Sequence, residues 1–189
     1  MAVSESGICN LALLRLGHDR EISSLTESSA EAGHCKTFYE HVRKSLLRAR
    51  EWQFAQRIVT LALISEGGTE FEYAYQLPSD CLRVLKIVNP YARDKDVPFN
   101  IRGHEVHTDL DDAQLLYLQD VKDPNLFDAL FIEAFAYRLA SEIAGPLTQD
   151  TDKTKQMYEM FRMTLAQASS VDKSEAQSNK GLGLVEARR

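Results

Sequence analysis

Residues 28–55 read SSAEAGHCKTFYEHVRKSLLRAREWQFA. Ser28 followed by Glu31 is a capping box: the serine can accept from the backbone N–H three residues on, and the glutamate can reach back to the cap N–H. Cys35, Tyr39, Val42, Leu46 and Ala49 then recur in steps of four and three, one apolar stripe of an amphipathic helix. Lys36, Glu40, Arg43, Lys44, Arg48 and Arg50 take the other face. The helix ends in the only tryptophan, Trp52, with Phe54 two residues later. Twenty-odd residues at about 1.5 Å each make a spine of roughly 33 Å.

On the N-terminal side, Ser4 can cap a first helix with Glu5 in its first turn. Ile8, Leu11, Ala12 and Arg15 follow at helical spacing, and Gly17 is suited to the C′ position, where positive φ is needed. Residues 18–26 form a connector in which Ile22 and Leu25 are anchors into the core.

After Ala55 the period changes from helical to alternating. Residues 57–64 read as one β-branched strand. Gly67-Gly68 marks a turn, and Phe71, Tyr73 and Tyr75 alternate with polar positions. Leu77-Pro78-Ser79-Asp80 is turn chemistry. Leu82 to Val88 is a further strand, and 89–97 an exposed loop. Three short strands follow at Phe99–Arg102, Glu105–Thr108 and Gln114–Gln119.

Asp123-Pro124 restarts helix. The apolar face from Leu126 to Ala144 is wide, and Gly145-Pro146 stops it. A last helix begins near Thr151 or Asp152 and carries Met157, Tyr158, Phe161, Leu165 and Ala168. The end, SEAQSNKGLGLVEARR, reads as an extended tail that a partner would order.

The expected architecture is therefore α+β and mainly helical. Residues 1–55 and 122–172 form a four-helix bundle, 56–121 an inserted antiparallel β unit, and 173–189 an extended C-terminal tail. Trp52 and Phe54 sit where one period gives way to the other, which makes them the structural hinge.

With 44% hydrophobic residues in 189, the chain can bury a substantial core. Its apolar runs are too short to span a membrane, and the N-terminus lacks the basic and apolar regions of a signal peptide. The three cysteines, Cys9, Cys35 and Cys81, are odd in number and read as small buried hydrophobes made in a reducing compartment. A formal net charge of −6 disfavours a surface built to grip nucleic acid, though it allows nucleic acid to pass.

The search for chemistry yields no catalytic or cofactor set. His104-Glu105-Val106-His107 has its histidines three apart in a strand, so it is not the zinc helix signature. His34 and His41 read as a helix face. Asp109, Asp111 and Asp112 lack the glycine and glutamate of a calcium loop. Gly181-Leu182-Gly183 lacks a dinucleotide-binding context. Phe71, Tyr73 and Tyr75 could form a stacking platform, but the interleaved Glu70 and Glu72 favour a β core or protein interface.

Several spaced blocks resemble one family. Ile8-Cys9-Asn10-Leu11-Ala12-Leu13 with Leu16-Gly17, Ile22-Ser23-Ser24-Leu25, Glu31-Ala32 with Cys35 and Tyr39, Arg43 through Leu47-Arg48 to Trp52-Gln53-Phe54-Ala55, and Tyr73 to Leu85 are similar to the tail tubular protein A family, the head-to-tail adaptors of short-tailed phages and related prophages. The resemblance covers about residues 4–89, and continues only as a helix-pair pattern over 125–165. It implies a non-enzymatic virion protein at the head–tail junction, made in the bacterial host cytoplasm. It further implies a homo-oligomeric ring, usually of twelve copies, between the portal protein and the tail nozzle protein, with DNA passing through its channel. On that reading Arg43, Lys44, Arg48 and Arg50 are candidate subunit contacts, and Leu182, Leu184, Val185, Arg188 and Arg189 a portal-docking tail. No cofactor and no membrane are implied. The alternative is a small helical nucleic-acid-binding regulator that uses Lys36 and the same basic stripe.

Overall fold

A computed structural model describes residues 3–89 and 96–186, with side chains described through 169. Among these residues the chain forms two compact units. One comprises Met1–Arg43 with Asp123–Arg189, and the other Lys44–Lys122. The expected four-helix bundle with a small β insertion does not form. Four helices are accompanied by seven strands in two antiparallel sheets, and each unit has its own core.

In the helical unit, α1 (Glu5–Arg15) is capped by Ser4, whose hydroxyl accepts from Gly7 N–H at 3.0 Å. It closes with a double bond pattern: Gly17 N–H donates to Leu14 O and His18 N–H to Leu13 O, with Gly17 at φ +80. That is the Schellman arrangement, which needs a left-handed residue at C′. The Lys153 ammonium donates to Leu16 O at 3.0 Å, placing a cation at the negative end of α1.

Helix α2 (Ala30–Ala49) contributes its first part to this unit and its last turn to the other. Its start lies one residue past the expected box: Ser29, not Ser28, accepts from Ala32 N–H, at 3.2 Å. Cys35, Tyr39, Val42 and Leu46 are buried as the stripe requires, whereas Ala49 is exposed.

Asp123-Pro124 opens only a 3-10 turn (Pro124–Leu126). Helix α3 (Ala129–Thr148) starts later, capped by Asp128, which accepts from Leu130 and Phe131 N–H. It continues through Pro146 and ends at Gln149, φ +54. Proline in a last turn deprives the helix of one bond, and Gln149 N–H to Gly145 O closes it instead. Helix α4 (Thr151–Glu186) follows, with Asp150 accepting from Asp152 and Lys153 N–H.

The reason for the departure from a bundle lies in α3. A bundle helix buries one stripe. Here Phe131, Ala134, Phe135, Ala136, Leu139, Ala140, Ile143 and Ala144 are all buried, which places apolar contact around most of the helix. It is a central element, with α1 and α4 packed on it. Phe135 also meets Tyr39 of α2 (4.8 Å between ring centroids) and Phe131 (5.9 Å), and Phe131 meets Phe127 (4.8 Å). The second departure is at the C-terminus. The segment expected to be an extended tail is helical as far as Glu186, so α4 is 36 residues long against 20 for α3.

In the β unit, the single strand expected over 57–64 is two strands. β1 (Gln56–Thr60) pairs with β7 (Gln114–Gln119), and β2 (Ala62–Glu66) pairs with β3 (Tyr73–Gln76) in the other sheet. The chain changes sheets at Leu61, which is buried and donates its N–H to Ala113 O. Corners of two-sheet structures are made by such crossings. The first sheet runs β1-β7-β4, with β4 spanning Cys81–Val88. The second runs β2-β3-β6-β5, with β5 at Phe99–Arg102 and β6 at Glu105–Thr108. Gly103, φ +61, occupies the first turn position of the β5–β6 hairpin, where positive φ is required. Residues 90–95 of the expected loop lie outside the described residues.

Leu61, Tyr75, Ile87, Val106, Ala113, Leu115 and Tyr117 form the core between the two sheets. The Asp80 turn is tied to this core. Its carboxylate accepts from Tyr117 OH (3.1 Å) and Gln119 Nε2 (2.7 Å), and its carbonyl accepts from Asp120 N–H (2.8 Å). Burial, reinforced by this carboxylate, pushes the Tyr117 phenol up to about 12.

Candidate assembly surface

Arg43, Lys44, Arg48 and Arg50 of the spine are engaged within the chain, whereas Lys36 is exposed. Arg43 is only 3% exposed and lies 4.0 Å from the Glu40 carboxylate. Lys44 reaches Asp120 at 4.0 Å. The Arg48 guanidinium donates to Leu82 O on β4, and Arg48 O accepts from Arg83, which also meets Glu51 at 3.3 Å. The Arg50 guanidinium lies 5.0 Å from the Trp52 ring centre. The last turn of α2 thus fastens to its own unit, and the stripe offers little continuous basic surface to nucleic acid.

Trp52 is 2% exposed, and its indole N–H donates to Leu46 O at 3.0 Å. Phe54 stands 6.0 Å away, in the 3-10 turn Gln53–Ala55 that leads into β1. Both residues occupy the junction between helix and strand inside the β unit.

A surface that the sequence reasoning missed lies at the edges of the four-stranded sheet. Leu63, Tyr75, Val106 and Ile101 face one another directly across β2, β3, β6 and β5. The inner pair is 2% and 0% exposed, while the ends, Leu63 and Ile101, are 47% and 44% exposed. Every residue of β2 is exposed, including Ile64, and β1 presents Ile58. β2 is guarded only in part against edge pairing: it carries one charge, Glu66, and a register irregularity between Leu63 and Ser65, but no proline. Alternation within 57–64 was the available signal, because it left large apolar residues on both faces.

A cleft of about 640 Å³ opens where the chain crosses between sheets, lined by Val59, Leu61, Ala62, Leu77, Cys81 and His104 among others. Its wall is mainly apolar. His104 sits in the β5–β6 turn, and His107 Nε2 lies 3.3 Å from Glu105. Asp109 serves the turn by accepting from Glu72 N–H. Among the described residues no three His, Cys, Asp or Glu side chains are grouped as metal ligands. Tyr75 is core, donating to Leu110 O at 2.9 Å, and Tyr73 packs against that core, so neither is a stacking platform.

Leu182, Leu184 and Val185 fall in the final turns of α4, and Arg188 and Arg189 lie outside the described residues. No helix among the described residues is long and apolar enough to cross a membrane. In comparisons with known proteins, no family model matches the chain and no curated protein matches it.

Proposed function

We propose that this protein is a structural head-to-tail adaptor subunit of a phage or prophage particle, acting without catalysis. Copies stand side by side in a closed ring between portal and tail nozzle, and DNA passes through the channel. The reading rests on the ordered sequence blocks over residues 4–89, and one structural observation carries it: the four-stranded sheet has two different exposed edges, each ending an apolar row. Unlike surfaces on one subunit make heterologous contacts, which generate rings when the rotation closes. An antiparallel sheet with an even number of strands has edge strands running in opposite directions. The β5 edge of a neighbouring copy therefore meets β2 as an antiparallel strand without inversion. A net charge of −6 suits a channel along which DNA slides.

The 36-residue α4 changes the form proposed for the portal-docking element, from an extended tail to a helical arm. The decisive experiment is electron microscopy of the purified chain, alone and mixed with the portal protein from the same genome. Rings seated on portal are expected. A chain that never joins portal complexes, even in particles from infected cells, would overturn the reading.

A further inference from the structure

The helical unit leaves two unlike apolar faces uncovered. On α1, Leu11 and Leu14 lie about one turn apart and are 42% and 62% exposed, while Ile8, Cys9, Ala12 and Leu13 of the same helix are buried. The exposed pair forms one wall of a groove of about 320 Å³, and connector residues His18, Asp19, Arg20 and Glu21 form the other. Asn10 fixes the connector in place: its amide donates to Ile22 O (3.0 Å) and its oxygen accepts from Ile22 N–H (2.9 Å). The groove is therefore preformed, and a guest meets little ordering cost in it. On α4, Glu159, Arg162, Met163 and Ala166 are three or four residues apart, so they share one stripe, and all are exposed. Met163, at 66%, and Leu14 are the two most exposed large apolar side chains among the described residues.

The charges beside the two faces are complementary. Asp19 and Glu21 rim the groove, and neither carboxylate has an ion-pair or hydrogen-bond partner among the described residues. The Arg162 guanidinium, next to Met163, has none either. Glu159 on the same stripe is matched by Arg20, the cation on the groove rim, whose only ion pair among the described residues is with Glu27 at 3.5 Å.

We infer that the α4 stripe of one copy docks in the α1 groove of a second copy, with Met163 seated against Leu11 and Leu14 and Arg162 facing Asp19 and Glu21. A thioether side chain is flexible enough to fill a shallow apolar groove. The rim charges set register and choice of partner more than strength. Groove and stripe are different surfaces, so the contact is heterologous and repeats from copy to copy. A contact of this size is weak alone; it steadies neighbours and does not by itself hold a ring. It rests on the adaptor reading only in taking copies to stand side by side.

The test is pairwise cross-linking of the full chain, with Cys81→Ser in every variant so that only the fully buried Cys9 and Cys35 remain. Leu14→Cys and Met163→Cys are made separately; both positions are about two-thirds exposed, and circular dichroism confirms that each variant is folded. A short bis-maleimide added to the concentrated mixture should give a covalent dimer joined between positions 14 and 163, mapped by peptide mass spectrometry. Neither variant alone should give it. Arg162→Glu in the Met163→Cys chain should remove most of the dimer, and Asp19→Lys with Glu21→Lys in the Leu14→Cys chain should restore it. No dimer in the mixture, a yield indifferent to Arg162→Glu, or equal dimer from Leu14→Cys alone would overturn the inference. So would portal protein shielding Leu14→Cys from maleimide with no 14–163 link, which would make portal the occupant. Rings seated on portal without the link would remove this contact and leave the adaptor reading; the link without portal binding would do the reverse.

Discussion

The Trp52 indole N–H donates to the Leu46 carbonyl oxygen at 3.0 Å, folding the chain after α2 back against the helix's own last turns. The bond uses one of the carbonyls that a helix end leaves without an intrahelical donor. Trp52→Ala removes the ring, the bond and the partner of the Arg50 guanidinium together. It should cost about 3–5 kcal/mol, as loss of a buried aromatic does. Trp52→Phe retains most of the volume and should cost about 1–2 kcal/mol, since Leu46 O loses its donor. Urea unfolding of both variants measures the difference. Equal losses would mean that volume is irrelevant at this site.

Asp80 gathers two donors from β7, the Tyr117 hydroxyl and the Gln119 amide. Asp80→Ala leaves the buried phenol without its acceptor, at a cost of about 1–3 kcal/mol. The same substitution removes one cause of the raised Tyr117 pKa, so that phenol should ionise at lower pH. Absorbance at alkaline pH follows this directly. A variant with lost stability and an unmoved phenol would show that the turn, not the carboxylate, is what matters.

Alkaline pH should destabilise both units. Burial is the main cause that raises Tyr39, Tyr75 and Tyr117 above the ordinary phenol value, Tyr117 to about 12. The folded state therefore holds these protons more tightly than the unfolded chain, whose phenols titrate near 10. Their contribution is complete below about pH 10 and is lost as pH rises through the folded values. The denaturation midpoint should fall steadily above about pH 10, after a shallower decline that begins as pH passes the ordinary thiol range, because burial also raises the Cys81 thiol. Tyr117→Phe should flatten that fall, at least in part.

Much of this fold is legible from local chemistry, and what fails is decided by contacts between elements. The Ser4 cap and the Gly17 closure depend on a few adjacent residues, and both form as expected. The strands at 99–102, 105–108 and 114–119 also match residue for residue, because turn residues bound them closely. The crossing at Leu61 leaves no such mark, since alternation continues through it while the pairing partner changes from β7 to β3. Arg43 sits on the polar side by spacing, yet tertiary packing buries it. The basic stripe pointed outward from a helix considered alone; the chain's own β4 and Asp120 claim much of it.

Gln149 ends α3 in the left-handed region, at φ +54. A side chain there is strained by its Cβ, and glycine is the usual occupant of this position. The backbone N–H keeps its bond to Gly145 O whatever the side chain. Gln149→Gly should therefore stabilise the helical unit by about 0.5–1 kcal/mol, the relief of strain exceeding the added flexibility of the unfolded chain. A raised melting temperature with an unchanged circular dichroism spectrum is the expected result. A lowered one would mean that the Gln149 side chain makes a contact worth more than the strain.

The adaptor reading makes a sharper demand on the sheet edges. Leu63 on β2 and Ile101 on β5 end the same apolar row on opposite sides. If neighbouring copies join edge to edge, Leu63→Lys blocks one side of each subunit and Ile101→Lys the other. Both residues are about half exposed, so each lysine can reach water and the monomer should melt within a few degrees of the unmodified chain. Neither variant alone should form rings on portal. Mixed together, however, each retains the edge that the other has lost. One intact β2 edge can then meet one intact β5 edge, so the mixture should give dimers that cannot grow. Sedimentation of the two variants, separately and mixed, distinguishes this from a two-fold contact. With a two-fold β2-to-β2 contact, Ile101→Lys alone would still dimerise and mixing would add nothing.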